Sequence, residues 1–88
     1  MDARMNYEHA KETADAASKV ACQESARVRN DDLTVARKAK EAQLMHIVAG
    51  NVAKEIGDTA AEWNHHAEAA AMRMLQHWHM ERGAPSHG

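Results

Sequence analysis

The chain has no phenylalanine, one tyrosine, one cysteine, one proline and four glycines among its 88 residues. Each scarcity excludes something. A single cysteine, Cys22, cannot form an internal disulfide, so no disulfide framework replaces a core, and a reducing compartment fits. The only proline, Pro85, stands near the end of the sequence, and Gly57, Gly83 and Gly88 sit where a helix could stop. What lies between is rich in Ala, Lys, Glu, Gln and Met, the best helix formers. No apolar run approaches membrane-spanning length, and the opening Met-Asp-Ala-Arg-Met-Asn has no apolar core of signal-peptide length. A cytoplasmic protein without membrane association is expected.

Large aliphatic side chains are also scarce. The apolar fraction is 44%, but alanine supplies 19 residues of it, against three Leu, two Ile and five Val. Burying a large aliphatic side chain contributes roughly 1.5–3 kcal/mol, whereas alanine contributes only a methyl group's worth. A chain this short also buries a smaller share of its surface than a larger domain. A lone monomer would have a thin core, so self-association to a dimer or higher oligomer is expected. Net charge is −2 with the histidines neutral, which gives no global basic field for nucleic acid or anionic membrane. Locally, Arg27, Arg29, Arg37, Lys38 and Lys40 make a basic stretch, and the segment from Glu55 to Glu68 is acidic. These read as solvated faces or as a charge-complementary contact between subunits.

The pattern predicts one all-α domain spanning residues 1–88, with helices over about 6–29, 32–56 and 60–82 and a flexible tail over 84–88. In the first helix Ala3, Tyr7, Ala10, Ala14, Ala17, Ala21, Ser25 and Val28 form one narrow stripe of mostly small residues, with Asp15 and Lys19 an i,i+4 pair. Asn30-Asp31-Asp32 supplies caps for the second helix. There Val35, Ala42, Met45, Ala49, Val52 and Ile56 fall at heptad core positions, Lys38 interrupts the seam, and Gly50 lies away from it. Gly57 closes that helix, and Thr59-Ala60-Ala61-Glu62 reads as a capping box opening the third. The expected architecture is an antiparallel helical hairpin or three-helix bundle, completed by oligomerisation.

The third helix concentrates the unusual residues: both tryptophans, four of seven histidines and three of six methionines. At 100° per residue, Trp63, Ala67, Ala70, Met74 and Trp78 share one stripe, the expected core face. Trp78, near the helix end, is also a candidate partner anchor. His66, Arg73 and His77, joined by Met80, line one rim and are candidates for gripping an anion or a partner's carboxylate. His65, Met72 and His79 fall on the opposite side and are expected to face solvent or another molecule.

Metal binding is poorly supported, because zinc commonly uses two histidines one helical turn apart and none of these histidines has that spacing. Two alternatives survive: a soft ladder of Met74, His77 and Met80 for Cu(I), and a Glu62-x-x-His65 unit of the sort di-iron bundles use. Ala53 and Gly57 have the Ala-x-x-x-Gly spacing that resembles a helix-turn-helix unit. The helix that would then enter the groove carries Asp58, Glu62 and Glu68, which phosphates repel. No phosphate loop or nucleophile elbow is present, so no enzyme is expected. Nor is a resident cofactor expected. Cys22 is expected to be a small buried hydrophobe.

The best-supported expectation is a self-associating helical protein that binds a protein partner as an inhibitor, adaptor or assembly factor, of a size mobile elements encode. Its contacts would be His66, Arg73, His77, Trp78 and Met80, with Arg37 and Lys38 from the basic stretch. The alternative is a bundle that binds Cu(I) or an anionic small ligand.

Overall fold

A computed structural model describes residues 2–83, and these form three helices and no strand: α1 (Ala3–Ser25), α2 (Asp32–Glu55) and α3 (Thr59–Gly83). Segment 84–88, expected to be a flexible tail, lies outside the described residues. The body is elongated, 53 × 19 × 17 Å. None of the described helices is long and apolar enough to cross a membrane.

Cap chemistry explains the bounds of α1, the end of α2 and the start of α3; at the start of α2 the expected side-chain cap is missing, since Asp31 makes no cap hydrogen bond and Asn30 instead bonds back to α1. Asp2 caps α1 by accepting the Arg4 N–H at 3.0 Å, which starts the helix before the expected Asn6. The helix also stops earlier, at Ser25, whose carbonyl accepts from the Asn30 side-chain amide at 2.9 Å. The α2–α3 junction is a Schellman turn. Gly57 takes a φ of 76°, the Asp58 N–H bonds to the Ala53 carbonyl, and the Gly57 N–H bonds to that of Lys54. The cap of α3 is Asp58, one residue before the expected Thr59, because the Asp58 carboxylate reaches the Ala61 N–H at 3.1 Å. Short polar side chains compete for this role, and the aspartate stands first in line.

Helix α2 is the central element, with α1 and α3 both packed chiefly on it. Its buried surface is therefore wider than one heptad seam. Val35, Ala42 and Ala49 are buried as expected, but so are Ala36, Ala39, His46, Gly50 and Ala53, while Met45, Val52 and Ile56 are only partly covered. Gly50 is a core residue, not an outlier. A Cβ there would stand 2.9 Å from His66 Cδ2 and 3.4 Å from His65 Cβ, so glycine lets α3 come close at this level. On α1 the small-residue stripe does turn inward at Tyr7, Ala14 and Ala21. Val28 lies exposed in the following loop, and Cys22 is exposed rather than buried. Asp15 pairs with Lys11, at 4.0 Å, not with Lys19.

The main correction concerns α3, which is turned about half a revolution from the expected orientation. Its buried residues are His65, Ala69, Met72 and His79; Trp63, Met74 and Trp78 are exposed. Facing residues on α1 and α2 explain why. They offer polar partners (Tyr7, Ser25, Asp32, His46) set among alanines, and an imidazole that hydrogen-bonds through both nitrogens can be buried at little cost.

Candidate functional site

Two hydrogen-bonded chains run through the interior, each joining all three helices. The first is Tyr7–His65–His46–Ser18. Tyr7 Oη lies 3.0 Å from His65 Nε2, the two Nδ1 atoms of His65 and His46 are 3.0 Å apart, and His46 Nε2 lies 2.7 Å from Ser18 Oγ. His46 is 1% exposed and His65 5%. With both rings neutral the chain closes in either of two senses. Tyr7 can donate toward His65 and the protons then point to Ser18, or Ser18 can donate toward His46 and they point to Tyr7. Either way every link has one donor and one acceptor. One added proton is also accommodated, on the shared Nδ1–Nδ1 link and the outward Nε2 atoms. A second would set two N–H groups against each other.

The surroundings disfavour a proton on His46. Burial, and then the neighbouring His65, push the His46 imidazole below its ordinary value, although Glu68 and Asp15 pull the other way. Burial, followed by Asp58 and Glu8, pushes the Tyr7 phenol up, so it remains an O–H group. Beside this chain a groove of about 300 Å³ opens between α1 and α3, its rim carrying Lys11, Asp15, Asn64 and Glu68.

The second chain is Ser25–His79–Asp32. Ser25 Oγ lies 2.9 Å from His79 Nε2, and His79 Nδ1 lies 2.7 Å from Asp32 Oδ1. Arg82 Nε stands 3.8 Å from the same carboxylate oxygen. The order of atoms matches acyl-transfer triads. Such chemistry also needs N–H donors aimed at an oxyanion, but Ser25 ends α1, where the unpaired backbone groups are carbonyls. His79, moreover, is 0% exposed. The set instead clamps the end of α1, the start of α2 and the end of α3. Among the described residues no buried side-chain nitrogen or oxygen lacks a hydrogen-bond partner.

The residues singled out from the sequence lie elsewhere. His66, Arg73, His77, Trp78 and Met80 are all exposed on α3; Arg37 is exposed and Lys38 partly covered on α2. Met74, His77 and Met80 line no enclosed cage, lying on open surface. Among the described residues no group of three or more His, Cys, Asp or Glu is arranged to hold a metal ion. The Glu62-x-x-His65 unit is divided by function, since His65 is committed to Tyr7 and His46.

Two open apolar surfaces stand out among the described residues. One is the outer stripe of α3, where Trp63 is 70%, Met74 73% and Trp78 52% exposed. Arg82 lies 4.5 Å above the Trp78 ring, a cation–π contact. The other is a shallow groove of about 370 Å³ between α1 and α2, lined by Ala10, Thr13, Leu44, Met45 and Val48, with His9 and Glu41 at its edge. Sequence reasoning missed this groove, because Leu44 and Val48 fall off the heptad seam. No family model, no curated protein and no solved structure matches the chain.

Proposed function

We propose that this protein is a small helical binding module, an adaptor or inhibitor whose docking surface is the outer face of α3. One observation carries the reading: the two largest side chains in the molecule, Trp63 and Trp78, stand outside with Met74 while histidines fill the core. Contiguous exposed apolar surface rimmed by polar residues is the mark of an interaction site, and Trp and Arg dominate binding energy at interfaces. Here the rim is His66, Arg73 and His77. The α1–α2 groove, drawn from different helices, offers a second surface, as an adaptor requires.

The test uses wild-type protein and a Trp63→Ser, Trp78→Ser variant as paired baits, with bound proteins quantified by mass spectrometry. The variant keeps its helical content and loses specific partners. An unchanged set of partners would contradict the reading.

A further inference from the structure

We infer that a second copy of this chain occupies the outer face of α3, with the two α3 helices antiparallel about a two-fold axis between Ala70 and Ala71. The inference rests on the docking reading above and names the occupant of that surface. Its basis is the spacing of the stripe. In an antiparallel pair centred between residues 70 and 71, Trp63 is level with the second copy's Trp78, Ala67 with Met74, and Ala70 with Ala71. The apolar residues of the stripe therefore map onto one another under the two-fold. Isologous interfaces have this property: if residue i meets residue j, then j meets i.

Size agrees with position. Each Met74, largely exposed, would lie over an Ala67, large against small, as interdigitating helices require. Ala70 and Ala71, both exposed, sit at the crossing and allow an approach near the lower end of the 8–10 Å range. The indoles close the two ends. All these residues lie within about 100° of arc on α3, opposite the histidine face that packs on α2.

Area agrees as well. A buried tryptophan removes roughly 150–250 Å² from water, and more than half of each indole is still exposed. Two tryptophans and a methionine from each protomer, with the alanines and rim between them, approach the roughly 600 Å² per partner at the small end of stable interfaces. The need is visible inside the monomer too, where the largest fully buried side chains are His46, His79 and Val35.

The geometry sets its own test. In a Cys22→Ser background, which removes the exposed native thiol, single cysteines are placed along the stripe and oxidised. Ala70→Cys joins to itself across the axis, because the two copies are offset by one residue, about 1.5 Å. Ala67→Cys alone does not join, since its copies are seven residues apart in level, about 10 Å, beyond disulfide reach. A mixture of Ala67→Cys and Met74→Cys chains gives the heterodisulfide. Light scattering on the unmodified chain shows a dimer, and Trp63→Ser, Trp78→Ser a monomer. Self-joining of Ala67→Cys would mean a parallel pair and would overturn the inference. So would a monomeric unmodified chain. If that monomer still loses specific partners in the double serine variant, only the second-copy assignment falls. A dimer that survives the double serine variant, with its partners unchanged, overturns the docking reading as well.

Discussion

The two faces of α3 invert the usual rule of inside and outside. The inner face, His65, Ala69, Met72 and His79, is the more polar by composition, yet it is buried; the outer face carries two tryptophans and a methionine, yet it is exposed. Hydrophobicity alone does not decide burial here. What decides it is whether the facing helices supply partners. The inner face meets a tyrosine, a serine, an aspartate and another histidine at hydrogen-bonding distance. The outer face, apart from Arg82 over the Trp78 ring, is largely uncovered, so its apolar surface is left for another molecule.

That contrast can be broken from either side. The largest effect is expected inside. His46→Ala leaves His65 Nδ1 and Ser18 Oγ without partners and opens a cavity, costing about 2–4 kcal/mol in unfolding free energy by urea titration. His79→Ala behaves similarly, freeing Ser25 and stranding Asp32 beside Arg82. A smaller loss, about 1–3 kcal/mol, is expected for Gly50→Val, whose branched side chain is forced against His65 and His66.

Acid adds a further test of the inner face. The folded-state value of His46 lies below its unfolded value of about 6.5, so the unfolded chain takes up the proton first as pH falls. Its contribution is fully present above the unfolded value and is lost as pH drops through the folded one. The melting temperature at pH 5 should be lower than at pH 7.5. A flat profile would contradict the buried pair. The smallest effect on folding is expected outside. In dilute monomer, Trp63→Ser should change unfolding free energy by no more than about 0.5 kcal/mol, while removing self-association.

Much of the fold was legible in the residues. Gly57 with its Schellman turn, the scarcity of breakers and the small-residue stripe of α1 are local signals, and they specify three helices. The orientation of α3 was not legible, for a reason particular to these residues. Its outer stripe has as good a helical period as its inner one, and reading it as core assumed that histidine prefers water. The assumption fails when both ring nitrogens are bonded, and those bonds come from Tyr7, His46, Ser25 and Asp32, far away along the chain. A signal was present in the 65/72/79 spacing, since His65, Met72 and His79 repeat every seven residues as a packed face does. Similarly, the Asp58 cap was hidden by a better-looking Thr59–Glu62 box one residue later.

The central claim, that the histidine face of α3 is the inside of the molecule, is tested most directly by nitrogen NMR of the imidazoles. The Nδ1 atoms of His46 and His65 are 3.0 Å apart and share a hydrogen bond. A scalar coupling across that bond, linking these two nitrogens near neutral pH and disappearing in His46→Ala, is the result expected. Two uncoupled imidazoles that titrate independently and exchange freely with water would show that α3 faces the other way.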